Sequence, residues 1–288
     1  VKTRDLDTFN PRRPADLLLT TPESLDALLA TKPQTLTRVR AVVLDELHVL
    51  DGDARGDQLR VVLNRLRQVR AYAAQAGDAA DGALQYVALS ATLAEPAAVA
   101  ARYFPAARVV TVPGGRTRQI DLLPLAPDSP AALVALLAGF RARGWRKALV
   151  FCNTRAEVEA CAAAVRSAGT PFGQQIYVHY SNLERQRRRE IEEQFAQADA
   201  ALCFASSTLE LGIDIGSIDV TILIGAPGSA AAFAQRIGRS GRRQRMIHAA
   251  CFHRTPLEEA LRRTLAAAPE PAPPPAPARP AVAVQQIF

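Results

Sequence analysis

Two adjacent carboxylates, Asp45 and Glu46, follow a short apolar run at 41–44. An apolar run that ends in acids is typical of a buried parallel strand that brings those acids to the edge of a sheet. Ligands of open α/β sheets bind at the carboxyl ends of such strands. One acid there could hold Mg²⁺, and the other could orient or deprotonate an attacking water. The same pattern also fits an ordinary strand end, so these two residues leave both interpretations open.

A pair of arginines, Arg239 and Arg242, forms a second group that could do chemistry, in the run 235–242 (QRIGRSGR). They follow a predicted helix at 230–237, and in a helical continuation they would face one side. Guanidinium groups bind phosphate well, and an arginine beside a transferring phosphoryl group accelerates the reaction by stabilising its charge. A solvated basic turn has the same residues, so two interpretations remain here as well.

The elements that must position these residues alternate between short apolar runs and amphipathic helices. Predicted strands lie at 16–21, 41–45, 85–89, 148–152, 176–178, 201–205, 220–224 and 247–252. Predicted helices lie at 22–29, 56–70, 96–103, 133–141, 156–168, 183–195 and 230–237. Strands that alternate with helices predict an α/β fold with parallel sheets.

Proline and glycine divide the chain. The run Pro113-Gly114-Gly115 and the prolines after it predict a linker at 113–130, between a first domain at 1–112 and a second domain at 131–255. Residues 256–288 are predicted to hold the end of a helix and a Pro/Ala-rich tail. Because such a tail cannot bury a core, we expect it to be disordered.

Composition limits the classes of protein. The chain has 288 residues, a net charge of +7 and no apolar run near the ~20 residues that span a bilayer. Its first residues do not resemble a signal peptide, so we expect no membrane partner and a cytoplasmic location. The basic balance favours a polyanion such as nucleic acid, although GC-rich coding can produce the same composition. Four scattered cysteines predict neither a disulfide framework nor a structural metal.

Six motifs, in this order along the chain, resemble those of the superfamily 2 helicases of the DEAD/DEAH-box kind. They are 21–23 (TPE, motif Ib), 45–48 (DELH, the DExH motif), 90–92 (SAT), 151–155 (FCNTR, motif IV), 206–214 (SSTLELGID, motif V) and 235–242 (motif VI). The resemblance runs from residue 16 to residue 243. Within the superfamily, the chain is most similar to the Lhr (large helicase-related) group, through 21–24 (TPES), 55–59 (RGDQL) and 209–214 (LELGID).

The resemblance implies two tandem RecA-like domains of the P-loop NTPase type, the first of them incomplete, in an ATP-dependent helicase. Its cofactors would be ATP and Mg²⁺, and its partner would be nucleic acid, DNA more readily than RNA. Asp45 would hold Mg²⁺, and Glu46 would position or deprotonate the attacking water. The implied catalytic residues are Asp45, Glu46, His48, Gln235, Arg239 and Arg242.

The resemblance also assigns binding and coupling residues. Ser90 and Thr92, together with His48, would couple the nucleotide state to the nucleic-acid state. The nucleotide would contact Gly212, Asp214 (near the ribose), Arg239 and Arg242 (near the γ-phosphate, from the second domain). The nucleic-acid backbone would contact Thr21, Pro22, Glu23, Thr154, Arg155 and Ser206. Backbone contacts of this kind carry affinity and not sequence specificity.

The chain departs from the family pattern in three places. Family members often have His-His-Gly-Ser where this chain has 179–182 (HYSN), which puts a nucleic-acid contact there in doubt. Ser206 stands where threonine is commoner. ATP enzymes of this type need a Gly-rich loop that ends in Gly-Lys-Thr/Ser and holds the β- and γ-phosphates, and the 288 residues contain none.

We therefore expect a fragment that begins with Val1 and hydrolyses little ATP on its own. A nucleic-acid-binding remnant without ATPase activity stays open as an alternative. So does a translocase that remodels protein–nucleic-acid complexes without separating strands. A Gly-Lys-Thr loop encoded in frame before Val1 would favour the enzyme.

Overall fold

The computed structural model describes residues 16–77, 83–90, 93, 95–104, 106–111, 116–126, 130–209, 215–241 and 246–267. These residues form two compact units, called unit one (within 16–111) and unit two (within 116–267). Each unit contains a parallel β-sheet with helices around it. The predicted α/β class with parallel sheets is therefore confirmed.

Unit one is built on a two-stranded parallel sheet. β1 (Ala41–Leu44) lies beside β2 (Gln85–Ala88), and Val43 pairs with Val87. Its α-helices, in the described residues, are α1 (Pro22–Thr31), α2 (Leu47–Leu50), α3 (Ala54–Gln75) and α4 (Pro96–Tyr103). The predicted helices at 22–29, 56–70 and 96–103 are confirmed, and α3 extends beyond its predicted range at both ends.

One face of this sheet is covered and the other is bare. Val42 and Tyr86 pack into apolar clusters with side chains of α3 and α4. Val43 and Val87 are 60% and 38% exposed, respectively. Parallel sheets are normally covered on both faces, so the exposure of Val43 and Val87 is unusual for a sheet of this kind.

The strand predicted at 16–21 is wrong. Residues 16–20 form a bend and an irregular segment, and the sheet of unit one contains β1 and β2 within the described part of the chain. Leu18 packs against the cluster formed by α1 and α3, whereas Leu17 and Leu19 are exposed. The apolar run therefore supplies one packing side chain and does not form a strand.

Unit two is built on a six-stranded, fully parallel sheet in the order β3-β8-β7-β4-β6-β5. Its strands are β3 (Thr117–Pro124), β4 (Lys147–Phe151), β5 (Ile176–His179), β6 (Ala201–Ala205), β7 (Val220–Ile224) and β8 (Met246–His253). Its helices are α5 (Ala131–Ala138), α6 (Arg155–Ser167), α7 (Arg185–Gln197), α8 (Ala230–Ile237) and α9 (Pro256–Ala267).

The central strands β4, β6 and β7 are buried along their whole length. Continuous apolar strands of this kind are typical of parallel sheets with both faces covered. Cys152, Cys203 and Cys251 are buried in or beside these strands, and all four cysteines are free. None of the described helices is long and apolar enough to cross a membrane.

The prediction of a linker at 113–130 is wrong for 117–124. This segment is the edge strand β3, which pairs with β8 along all of its length. Ile120 and Leu122 pack against a buried cluster that includes residues of α8. Pro124 ends the strand, and proline is tolerated there because an edge strand leaves one side unpaired. The prolines that predicted a linker therefore flank a strand.

Candidate functional site

The two acids emerge from β1 as predicted. β1 ends at Leu44, and the exposed Asp45 and the half-buried Glu46 follow at its carboxyl end. Oδ1 of Asp45 accepts a hydrogen bond from the Glu46 amide at 3.0 Å. Glu46 is the N-cap of α2 and has a left-handed backbone, at φ 51° and ψ 44°.

His48 joins the acids to the end of the neighbouring strand. Its Nδ1 lies 3.5 Å from a carboxylate oxygen of Glu46 and 3.3 Å from Oγ of Ser90. The backbones are joined as well, because the Leu47 amide donates to the Leu89 carbonyl oxygen at 3.0 Å. The structure thus brings Asp45, Glu46, His48 and Ser90 to one edge of the sheet.

The residues of this edge fit one part of a magnesium–nucleotide site. Mg²⁺ is usually bound through one or two carboxylates together with water and phosphate oxygens. The exposed carboxylate of Asp45 suits that arrangement, and no cluster of three or more His, Cys, Asp or Glu that could hold a metal occurs among the described residues. The phosphate-holding loop is missing from the sequence. The edge therefore fits the metal and water end of such a site and not its phosphate cradle.

The predicted contact segment 21–23 forms the start of α1. Thr21 is the N-cap, and its side chain accepts from the Ser24 amide at 3.3 Å. Nε of Arg55 donates to Glu23 at 2.7 Å, and this hydrogen bond lowers the pKa of Glu23 to about 2. Glu23 thus joins α1 to α3 through Arg55, and its direct contact with nucleic acid stays a prediction.

The predicted nucleic-acid contacts of unit two lie just after the carboxyl ends of two neighbouring strands. Phe151 pairs with Ala205 at the end of β4 and β6, so Thr154 and Ser206 follow at the same edge. Thr154 caps α6 by accepting from the Glu157 amide at 3.1 Å. Arg155 donates to Glu159 at 3.0 Å and lies over the ring of Tyr180, 4.7 Å from its centroid.

The expectation that Arg239 and Arg242 continue a helix is not met at Arg239. α8 ends at Ile237, and the Arg239 and Ser240 amides form the turn that follows. Gly241 has a φ of +66°, and an added Cβ would overlap the carbonyl oxygen of Met246. Glycine is therefore required where the chain leaves this turn. Gln235 is half-buried on α8, and the Arg239 side chain is 5% exposed.

Two residues of this region were missed as site residues. The buried Arg236 donates to Oδ1 of Asn153 at 3.2 Å and lies over the ring of Phe151 at 5.2 Å. Asn153 in turn donates to the Ala226 carbonyl oxygen at 2.8 Å. This network joins the end of α8 to the loop that carries Thr154. The sequence did indicate them, because Asn153 lies in the motif-like run at 151–155 and Arg236 lies in the one at 235–242.

Four predicted site residues lie outside the described part of the chain. They are Thr92, Gly212, Asp214 and Arg242. Their roles stay predictions.

The chain matches two family models that succeed each other along the sequence. The DEAD/DEAH box helicase model matches residues 2–99, and the helicase conserved C-terminal domain model matches residues 128–244. The boundary between the two matches falls between the two units. The matches therefore assign one helicase domain to each unit.

Curated relatives of the chain include ATP-dependent helicases named Lhr-Core. Lhr-Core protein 2 of Thermococcus barophilus is 32% identical over 264 residues, which cover 84% of this chain and 29% of that protein. Lhr-Core of Methanocaldococcus jannaschii is 31% identical over 261 residues, with the same coverage of 84% and 29%. The chain thus spans less than a third of the length of these relatives.

A solved structure shares the arrangement of elements. The Mycobacterium smegmatis helicase Lhr bound to ssDNA and AMP-PNP matches with a TM-score of 0.73 and 25% identity, over 95% of this chain and 37% of that chain. These matches confirm the predicted tandem RecA-like fold and the resemblance to the Lhr group.

Proposed function

Because the chain belongs to the DEAD/DEAH-box helicases of superfamily 2, we propose that it is the motor part of an ATP-dependent helicase of the Lhr kind. The observation that carries the proposal is the edge of unit one, where Asp45, Glu46, His48 and Ser90 meet. ATP hydrolysis on nucleic acid needs a metal-binding acid, a water-positioning acid and a link to the bound strand. Residues suited to each of these tasks stand at this edge.

The proposed chemistry assigns one task to each side chain. ATP with Mg²⁺ supplies the phosphoryl group to be transferred and neutralises part of its charge. Asp45 would hold the metal through its exposed carboxylate. Glu46 orients the attacking water and accepts its proton. His48, whose Nδ1 lies 3.5 Å from Glu46 and 3.3 Å from Ser90, would couple the nucleotide-bound state of the site to the residues at the end of β2.

Two arginines of unit two are proposed as contacts to the γ-phosphate. Arg239 and Arg242 would neutralise the charge that develops on the γ-phosphate, as guanidinium groups are suited to do. The Arg116 side chain holds the turn around Arg239, because it donates to the carbonyl oxygens of Gly238 at 3.3 Å and Ser240 at 3.0 Å. Gly212 and Asp214 are proposed to contact the nucleotide itself.

The proposed partner is single-stranded nucleic acid, with DNA favoured because the similar Mycobacterium smegmatis Lhr is bound to ssDNA. Thr21, Thr154, Arg155 and Ser206 would contact its backbone. Hydroxyls, helix N-termini and arginine are all groups that bind phosphate oxygens. Such contacts predict binding that depends on salt and little on base sequence.

The test of the helicase proposal is Glu46→Gln in the complete in-frame gene product. The amide keeps the size of the side chain but cannot accept a proton from water. We expect nucleic-acid-stimulated ATP hydrolysis to fall by at least about a hundredfold, a typical loss for a general base. Nucleotide affinity should stay near that of the unchanged protein. Hydrolysis that survives in the variant would show that Glu46 is not the water-positioning acid.

A second candidate function follows from the missing Gly-Lys-Thr/Ser loop: the 288-residue chain binds nucleic acid without hydrolysing ATP. We expect the purified chain to bind single-stranded DNA, more weakly as salt rises, while its ATP turnover stays near that of buffer. Phosphate release with and without the oligonucleotide measures this directly. Robust turnover stimulated by nucleic acid would rule this candidate out.

A further inference from the structure

His179, at the end of β5, is a buried histidine with hydrogen-bond partners on both ring nitrogens. Its side chain is 1% exposed. Nδ1 lies 2.8 Å from Oγ1 of Thr208, and Nε2 lies 3.0 Å from a carboxylate oxygen of Glu192 on α7. Burial lowers the pKa of His179, Arg188 lowers it further, and Glu192 opposes both effects. The lowered pKa favours the neutral form of the ring.

The partners decide where the single proton of the neutral ring sits. An ionised carboxylate can only accept hydrogen bonds, so Nε2 must carry the proton and donate it to Glu192. Nδ1 is then the acceptor, and the Thr208 hydroxyl donates to it. The other acceptor near that hydroxyl, the His179 carbonyl oxygen, is farther away at 3.3 Å. The bonds run in one direction, from Thr208 through His179 to Glu192.

The same histidine also holds the backbone of the turn at 206–209. Its carbonyl oxygen accepts from the Ser206 amide at 3.3 Å. Leu209, at the end of the turn, is buried in a cluster with residues of β4 and β6. The turn is thus fixed at its start by the His179 backbone, at Thr208 by the His179 ring and at its end by Leu209.

We propose that His179 is a positioning residue, which holds the turn at 206–209 through Thr208 and so presents Ser206 to the nucleic-acid backbone. This inference rests on the proposed function, which makes Ser206 a nucleic-acid contact. It also gives the segment at 179–182 a role. His179, its first residue, is buried in unit two and would affect the bound nucleic acid indirectly, through Thr208.

The experiment compares Thr208→Val with Thr208→Ser in the 288-residue chain. Valine has the shape of threonine without its hydroxyl, whereas serine keeps the hydroxyl. We expect Thr208→Val to weaken binding of a single-stranded DNA oligonucleotide about tenfold, the size expected when one buried hydrogen bond is lost. Thr208→Ser should bind within about twofold of the unchanged chain. Equal affinity of the two variants would overturn the inference.

A second measurement reads the position of the turn without nucleic acid. Hydrogen exchange of the Ser206 amide should be faster in Thr208→Val and unchanged in Thr208→Ser. ¹⁵N shifts of the imidazole should show the proton of His179 on Nε2, with Nδ1 losing its hydrogen-bonded shift in Thr208→Val. A proton on Nδ1 in the unchanged chain, or a Ser206 amide that does not respond, would overturn the inference.

The two measurements separate the inference from the function on which it rests. If the unchanged chain bound no oligonucleotide, the proposed nucleic-acid contact would fail, and so would the presentation of Ser206. The exchange data would in that case still show whether His179 fixes the turn. If the unchanged chain bound DNA but both variants bound equally, the proposed function would stand and the role of His179 would fall.

Discussion

At the scale of single residues, Glu46 combines a proposed chemical task with an unusual backbone. It is the non-glycine residue with positive φ among those described. The left-handed conformation costs an L-residue roughly 1–2 kcal/mol. Such strain is found at functional sites, where the surrounding structure holds it in place. Here it turns the chain directly from β1 into α2 and places two acids at the strand end.

This strain predicts a difference between two variants that both lack the acid. Glu46→Ala keeps the cost of the left-handed backbone, whereas Glu46→Gly removes it. We expect Glu46→Gly to be more stable than Glu46→Ala by about 1 kcal/mol in urea unfolding of the 288-residue chain. Alanine is normally the more stabilising of the two residues, so a more stable Glu46→Ala would show that position 46 is not strained.

The sequence could predict some site residues and not others, for a physical reason. Asp45 and Glu46 were found because acids after an apolar run mark a strand end, which is a local pattern. His179 was not assigned its role because its partners Glu192 and Thr208 lie 13 and 29 residues away. Which polar groups meet inside a core depends on how strands and helices pack, and a local pattern does not contain that information.

At the scale of elements, two ion pairs and a hydrogen bond join α1 to α3. Arg55 donates to Glu23 at 2.7 Å, Gln58 donates to Asp26 at 3.2 Å, and Arg65 also pairs with Asp26. These contacts bring two segments that resemble Lhr proteins, at 21–24 and 55–59, into one interface. Their co-occurrence in the sequence therefore has a structural explanation.

The Glu23–Arg55 pair predicts a pH dependence. The pKa of Glu23 is lowered from an ordinary 4.5 to about 2, so the pair stabilises the fold above pH 4.5 and loses its effect as the pH falls towards 2. Both side chains are about half exposed, which limits the effect to about 1 kcal/mol or less. NMR titration of Arg55→Gln should return the pKa of Glu23 towards 4.5.

The matched control for this titration is Arg263→Gln. Arg263 forms an exposed pair with Glu259 on α9, in unit two. The control removes one positive charge, as Arg55→Gln does, but should leave the titration of Glu23 unchanged. A Glu23 carboxyl that still titrates near 2 in Arg55→Gln would show that another group lowers its pKa.

The elements themselves were predictable to the extent that their signal was local. β4, β6 and β7 are continuous apolar runs, and α1 has a capping threonine followed by proline. β3 was missed because flanking prolines and glycines resemble a linker and because its partner β8 lies far along the chain. The false strand at 16–21 had the composition of a strand but no partner among the described strands.

At the scale of the whole molecule, the proposed binding to nucleic acid would have two electrostatic sources. One is the net charge of +7, which attracts any polyanion, and the other is the set of individual phosphate contacts. Only the contacts release counterions from defined phosphates, so the salt dependence of the affinity can separate the two. For single strands, each phosphate neutralised contributes a slope of about −0.7 to log K against log salt.

Arg155 and Arg263 provide a matched pair for this separation. Each is an exposed arginine that pairs with a glutamate four residues later or earlier on its helix. Arg155→Gln and Arg263→Gln both lower the net charge by one, from +7 to +6. If Arg155 contacts a phosphate, Arg155→Gln should reduce the salt slope by about 0.7, whereas Arg263→Gln should leave it unchanged. Fluorescence anisotropy with a single-stranded DNA oligonucleotide over a series of salt concentrations measures both slopes. Equal slopes in the two variants would mean that net charge, and not a contact at Arg155, accounts for its effect on binding.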